Sequence, residues 1–497
     1  MRALVWFRAD LRTVDNRALA QAARDAGASG SVVGVFTICP EQWRAHDWGV
    51  PRAGWTLRNL ASLRDKLASL NIPLKIVTTP RFEGVPDALL SLAKRVMADA
   101  LYLNREYEVN ELSRDEAVTD LFEGSGIHVH AFHDQVVVPP DAVRTGQGSY
   151  YTVFSPYRRA WEKHLDENRE LAEIDKEPRP CSDAGIASDD VPTSLDGYDL
   201  APELDGPRAK LWKPGQDAAI ARLKSFRGDR LKDYKNDRDF PAIDGTSVIS
   251  PYLAVGAVSP RQCLAAARTQ KGPGPTHWES ELVWREFYRH VLVGYPRVCR
   301  NRAFRVETDR MDWEDASANL DAWKQGRTGI PIVDAGIRQL LETGWMHNRV
   351  RMIVAMFLTK NLLIDWREGE RCFMNRLIDA DFASNNGGWQ WSASTGTDAA
   401  PYFRIFNPAS QSRKFDPDGA YIRRFIPELK TLDNDSIHEP WEAGLARGVI
   451  DYPDPIVDLK SSRTRAIERF KRVLGSGVTY EEAPPEVDAP RSRTRKR

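Results

Sequence analysis

A chain of 497 residues, 42% hydrophobic and 28% charged, has room for two to four domains, each with a sizeable core. Lysine plus arginine equal aspartate plus glutamate at 70 each, so no whole-molecule field draws the chain to nucleic acid or membrane, and any such surface is a local patch. No apolar run reaches the roughly 18 residues of a membrane span; the five cysteines are scattered, never spaced CxxC, and are expected as reduced thiols of a cytoplasmic protein.

The opening MRALVWFRADLR carries charges within and after its apolar run, which predicts a strand and not a secretory leader. Further strands are expected at residues 32–38, 74–77, 100–103 and 128–132, with amphipathic helices at 57–70 and 86–97 between them. Strand and helix alternating at this spacing predict a doubly wound, Rossmann-like parallel sheet over residues 1–132. No GxGxxG follows the first strand and no GK[ST] occurs, so the usual dinucleotide and P-loop readings fail. His128, His130 and His133 cluster in HVHAFH, but no cysteine or acid completes a ligand set nearby; they are read as structural, and no metal is expected.

Residues 133–212 are predicted to connect two domains, since Pro, Asp, Ser and Gly crowd EPRPCSDAGIASDDVPTSLDG. From 213 to 475 helical patterns dominate, with apolar stripes at Val333, Ile337, Leu340, Leu341 and at Val350, Ile353, Val354, Phe357, Leu358. Residues 476–497 lack an apolar face and are expected to be a disordered basic tail.

Three stretches of the helical part carry unusual chemistry. In WESELVWREFYRH (278–290), Glu281, Trp284, Arg285 and Tyr288 fall on one helix face, where an indole can stack on a flat ligand and a carboxylate can accept from it. In GWMHNRVRM (344–352), Asn348, Arg349 and Met352 share a quadrant while Arg351 points away. In LIDADFASNNGGWQW (377–391), two acids, two asparagines, a Gly pair and two tryptophans are too polar for a core helix and too aromatic for a free loop.

With WFRADLRTVDNRAL near the start and TGTDAAPYFRIFNP (395–408), these stretches closely resemble the photolyase/cryptochrome family over nearly the whole chain. The resemblance implies an α/β antenna domain followed by an all-α domain that binds FAD, active as FADH⁻. By position, Tyr234, Thr246, Ser247, Val248, Ile249, Ser250, Trp278, Arg285, Asn348, Arg351, Asp379, Ala380, Asp381 and Asn385 resemble its flavin contacts. Arg351 is expected to pair with Asp379, and the Asn385 amide to lie beside flavin N5. Val248, Ala380 and Phe382 depart from the common pattern.

The resemblance further implies a deoxyribodipyrimidine photolyase, in which blue-light-driven electron transfer from FADH⁻ splits cyclobutane pyrimidine dimers in DNA; a cryptochrome photoreceptor is the alternative. Enzymes of this kind flip the damaged bases out of the duplex. Trp284 and Trp391 resemble the walls that stack on the dimer, Glu281 and Asn348 its hydrogen-bonding partners, Met352 a packing contact and Arg349 a phosphate contact. Trp389, Trp366 and Trp313 match the electron relay that reloads oxidised FAD. The stretch NREYEVNELSRD (104–115) resembles the antenna site of members that bind 5,10-methenyltetrahydrofolate, with Asn110, Glu111 and Arg300 as contacts. No membrane partner is implied, and the protein is expected to be a monomer. A single His347 next to Asn348 resembles the cyclobutane-dimer class; (6-4) enzymes typically show a histidine pair.

Overall fold

The computed structural model describes residues 1–398, 405–442 and 451–475. The 476–497 tail and part of the 395–408 motif lie outside the described residues.

Five strands form one parallel sheet: β1 (Arg2–Phe7), β2 (Ser31–Ile38), β3 (Leu74–Thr78), β4 (Ala100–Asn104) and β5 (His128–Phe132), in the order β3-β2-β1-β4-β5. Each matches its predicted position within two residues at either end. Register places Leu4 beside Val33 on one side and Leu101 on the other. β2 and β4 are buried throughout and β1 nearly so, because helices cover both faces of a parallel sheet; their sequences are therefore continuous apolar runs without alternation.

The intervening helices are α1 (Arg17–Ala26), α2 (Val50–Ser69), α3 (Val85–Val96) and α4 (Val109–Glu123). α1 starts where Asn16 accepts from the Leu19 N–H, a side-chain N-cap. α2 begins seven residues before the apolar pattern, with Pro51 in its first turn. The charges of WFRADLRTVDN are spent inside the protein. Arg12 and Arg261 pair with Asp15 and Asp134, all at most 2% exposed, so deleting one partner would strand a buried charge at a cost of about 3–5 kcal/mol. Asp10 accepts from the Arg8 N–H (2.7 Å) and the Asn104 amide (2.6 Å).

Downstream of 132 the chain does not leave the sheet. Ser188 Oγ accepts from the Leu74 N–H (3.0 Å) and Asp189 from the Ile76 N–H (2.8 Å), so this segment covers the exposed edge of β3. Among the described residues all later elements are helical, including α5 (Phe154–Glu167), α6 (Pro273–Gly294), α7 (Pro331–Thr343), α8 (Asn348–Met356), α9 (Trp366–Arg376), α10 (Phe382–Ala393) and α11 (Leu459–Leu474). The stripe Val350, Ile353, Val354, Phe357, Leu358 is buried as expected; α8 passes into a π-helical turn at Phe357–Asn361.

The chain divides into two compact units. One comprises residues 1–302, 338–348 and 370–387, and so holds the sheet together with much of the helical region. The other comprises 303–337, 349–369 and the described part of 388–497. Among the described residues no helix is long and apolar enough to cross a membrane.

Candidate functional site

In the first unit α6 carries two kinds of chemistry on opposite faces. Glu281, Trp284, Arg285 and Tyr288 are all half-buried, while Val283, Glu286, Phe287, Arg289 and His290 point into the protein. Trp284 stacks on Phe154, at the start of α5, with ring centroids 3.7 Å apart and planes 8° from parallel. Glu281 forms an ion pair with Arg238, whose guanidinium also lies 5.5 Å from the Tyr234 ring centroid. Arg238 was not singled out in the sequence; a lone arginine in YKNDRDF carries no signal until the fold brings Glu281 to it. A Cβ on Gly387 of α10 would come within 2.1 Å of the Tyr288 ring, so this first glycine of NNGGW lets that ring lie against the helix backbone; Gly388 faces open space.

Most of the expected flavin contacts gather in this unit. Tyr234, Ser247, Ile249, Trp278, Asp379 and Ala380 are buried; Thr246, Val248, Ser250, Asp381 and Asn385 are half-buried; Asn348 is exposed. The Ser250 hydroxyl donates to Asp379 (2.6 Å), tying the 246–250 segment to the loop before α10. Val248 has φ +47°, which a β-branched residue adopts only under constraint, and Ile249 follows in the right-handed region. Such a left-then-right-handed turn aims successive N–H groups into one concavity, a cradle for phosphate oxygens beside the hydroxyls of Thr246 and Ser247, the Ser250 proton being given to Asp379. That donor set fits a flavin diphosphate. Asn385 donates its NH₂ to the Glu370 carbonyl (3.0 Å), which leaves the amide oxygen as the end able to accept from a ligand N–H.

A second concavity of about 260 Å³ brings together Asn110, Glu111 and Arg300, the three residues expected at the antenna. It is also lined by His46, Trp48, Arg52, Glu108, Arg285, Arg289 and Asp381. Two residues read from sequence as flavin contacts, Arg285 and Asp381, therefore reach this cleft as well: Arg285 donates to the Gln135 carbonyl (2.5 Å) and Asp381 pairs with Arg289. Burial pushes the Asp381 carboxyl up, but Arg289 and Arg285 beside it reverse the shift and hold it well below the usual range. Burial, reinforced by Glu111 and Glu106, raises Glu108 to about 7. His46 bridges Glu111 (3.3 Å) and the Asn110 amide (2.8 Å); like Trp48, Arg52, Glu108 and Arg289, it was not singled out from the sequence. Carboxylates, an amide and a tryptophan suit a planar heterocycle with N–H donors, and the arginines suit appended carboxylates. By contrast, the crevice at the carboxyl ends of β1 and β4, where the strand order reverses and doubly wound sheets commonly bind nucleotides, is filled. Trp43 stacks on Trp48 at 4.8 Å, Arg114 lies over Trp6 and Phe82, and only about 60 Å³ remains.

The histidines of HVHAFH are engaged singly: His130 stacks on Tyr102 and His133 bonds the Tyr107 hydroxyl (2.9 Å).

The second unit holds Trp313, Trp366 and Trp389. Trp366 and Trp389 are buried and Trp313 is half-buried. A Cβ on Gly369, one turn after Trp366, would come within 2.1 Å of the Trp389 ring, so Trp389 lies against the first turn of α9. The Glu314 N–H bonds the Leu363 carbonyl (2.8 Å), which anchors Trp313 beside the turn that leads into Trp366. Phe470 of α11 meets the Trp313 ring edge-on at 6.1 Å, and Arg469 holds Asp312 and Glu314 on either side of it. Trp323 approaches Trp389 at 6.1 Å. Arg349 lies over the Phe415 ring at 4.4 Å; Arg349, Arg351, Met352 and Trp391 are all half-buried.

Comparison with known proteins gives the family. Residues 3–180 match the DNA photolyase domain, and residues 278–472 match the FAD binding domain of DNA photolyase. The chain is 43% identical to the deoxyribodipyrimidine photo-lyase of Vibrio cholerae, covering 95% of this chain and 100% of the relative. It is also 43% identical to that of Escherichia coli, over 94% and 98%. Among solved structures, a bacterial class III photolyase from Agrobacterium tumefaciens superposes with a TM-score of 0.85 at 35% identity, over 95% of this chain and 98% of that one. A cryptochrome from Synechocystis gives 0.81 at 30%, over 94% and 98%. The chain belongs to the DNA photolyase family.

Proposed function

We propose that the protein is a deoxyribodipyrimidine photo-lyase that uses blue light to split cyclobutane pyrimidine dimers in DNA, working as a monomer in the cytoplasm, away from membranes. The observation that carries this reading is the half-buried pair of Glu281 and Trp284 on one face of α6, an acceptor beside a flat aromatic surface. The relatives named deoxyribodipyrimidine photo-lyase, 43% identical over nearly the full length, support it.

When bound and reduced, FAD would supply the light-driven one-electron chemistry. The chain does the rest. Thr246 and Ser247, with the amides of the Val248–Ser250 turn, would hold the diphosphate; Arg351 and Asp379 would flank the ring system, and the Asn385 carbonyl would accept from a flavin N–H. Trp284 and Trp391 stack on the flipped lesion, each worth about 1–3 kcal/mol. Glu281 and Asn348 bond the base edges, Glu281 as the acceptor from a pyrimidine N–H. Met352 packs on the lesion and Arg349 holds a flanking phosphate. Trp313, Trp366 and Trp389 pass an electron inward to reload oxidised cofactor. We assign the antenna, 5,10-methenyltetrahydrofolate, to the cleft of Asn110, Glu111 and Arg300, because the sheet crevice that could take a larger flavin-like chromophore is filled by Trp43, Trp48 and Arg114. On this reading residues 1–132 serve the antenna and 213–475 the flavin and DNA.

Purified protein should show flavin absorption bands and release one FAD per chain. Correctly folded, colourless protein that cannot be reconstituted with FAD would overturn the reading.

A further inference from the structure

The aromatic wall formed by Trp284 has a back, and the back is Phe154. Phe154 is buried, and its ring lies 3.7 Å from that of Trp284 in almost parallel planes. Phe287 meets both rings edge-on, at 5.8 Å from Phe154 and 5.6 Å from Trp284. One face of the indole is therefore covered; Tyr288 borders it at 5.7 Å, and Trp284 stays half-buried, which leaves surface for a partner. Unconstrained aromatic pairs settle at centroid distances of about 4.5–7 Å in offset or edge-on arrangements; so close a face-to-face pair needs something to hold it.

What holds it is residues 137–153, the segment that leads to Phe154. Its backbone is fastened to the inward face of α6 itself. Glu286 accepts from the N–H groups of Val137 (2.5 Å) and Val138 (3.2 Å) and from the indole of Trp161 (2.6 Å) on α5. His290 accepts from the Tyr151 N–H through Nε2 (2.8 Å) and donates through Nδ1 to the Pro140 carbonyl (2.7 Å). Helix α6 thus presents Trp284 outward and, through Glu286 and His290, anchors a strap that returns behind the same tryptophan.

We propose that Phe154 is a positioning residue for the lesion-binding wall, and that residues 137–154 form the strap that presses it against Trp284. The inference rests on the reading of Trp284 as a stacking wall. An indole sealed on one side cannot rock or admit water behind it, so a flat partner stacks on it without first ordering it.

The test compares binding of the holoenzyme, in the dark, to oligonucleotides with and without one cyclobutane dimer. Phe154→Ala should lower the ratio of the two affinities about three- to tenfold, the range expected of an aromatic pair. It should raise KM for repair by pre-reduced enzyme more than it lowers kcat. Phe154→Tyr, which keeps the plane, should restore the ratio. Phe154→Leu, which keeps volume without the plane and guards against misfolding, should not. In a Trp284→Ala background the Phe154 change should add nothing, since the two act as one unit. An unchanged ratio in both Phe154→Ala and Phe154→Leu, with Trp284→Ala lowering it, would overturn the inference and leave the stacking wall standing. An unchanged ratio in Trp284→Ala would remove the wall itself, and the inference with it.

Discussion

Two sets of tryptophans share this chain and are built in opposite ways. Trp284, in the first unit, is half-buried and backed flat by Phe154, so that one face stays open. In the second unit Trp366 and Trp389 are enclosed, meeting neighbours edge-on or through backbone, and of the three tryptophans compared with the relay Trp313 alone reaches partly to the surface. A surface that must receive a substrate needs an accessible plane. A chain of electron donors needs an interior that reorganises little when charge passes, with one exposed end. On the proposed function, enclosure sets Trp366 and Trp389 apart from Trp284, a difference residue type does not show.

The largest expected effect breaks the relay. Trp389→Phe should abolish photoreduction of oxidised flavin, because phenylalanine is far harder to oxidise, while chemically pre-reduced enzyme still repairs dimers. Photoreduction at the original rate would move the electron donor elsewhere. Next comes the open wall: Trp284→Ala should cost about 1–3 kcal/mol of dimer binding and leave flavin photoreduction intact. A variant that lost both would mean the two sets are not separate.

The strap behind the wall has its own pH signature. Burial pushes His290 down from 6.5 to about 4, and its hydrogen bonds require the neutral ring. The unfolded chain then binds a proton that the folded one refuses between about pH 6.5 and 4. Stability should be unaffected by this group above pH 6.5 and fall by up to about 3 kcal/mol as pH drops to 4. Denaturant melts of His290→Asn should lack that component of the slope; an unchanged slope would place the acid sensitivity in other groups. The smallest effect is expected at the surface: Arg349→Ala should weaken damaged and undamaged DNA alike and reduce the salt dependence of binding by about one phosphate contact. A loss confined to turnover would contradict a phosphate role.

The sheet was legible from sequence because strands buried on both faces must be apolar throughout, and the runs around Leu4, Val33 and Leu101 say so directly. The face of α6 was legible for a similar reason: periodicity alone placed Glu281, Trp284, Arg285 and Tyr288 together. Their roles came from resemblance, since nothing in spacing distinguishes Trp389 from Trp323, equally buried and 6.1 Å away. Phe154, Arg238 and His46 escaped notice because each acts on a partner 43 to 130 residues distant, by arithmetic on Arg238–Glu281, His46–Asn110 and Phe154–Trp284, and each sits in an ordinary local sequence. Arg285 shows a further limit: its helix face was predicted correctly, but the carbonyl it reaches, that of Gln135, is supplied by a segment that reads as a connection.

The central claim is that this wall and its polar neighbours receive a cyclobutane dimer. Splitting that ring requires mainly electron transfer, whereas a (6-4) photoproduct also needs an oxygen and a proton moved, for which a second histidine beside His347 is lacking in sequence. The direct measurement is repair by purified, pre-reduced protein of oligonucleotides carrying one lesion of either kind, with and without blue light. The account predicts light-dependent restoration of cyclobutane-dimer strands and negligible repair of the (6-4) product. Repair of the (6-4) product alone, equal repair of both, or no repair of either under illumination would contradict it.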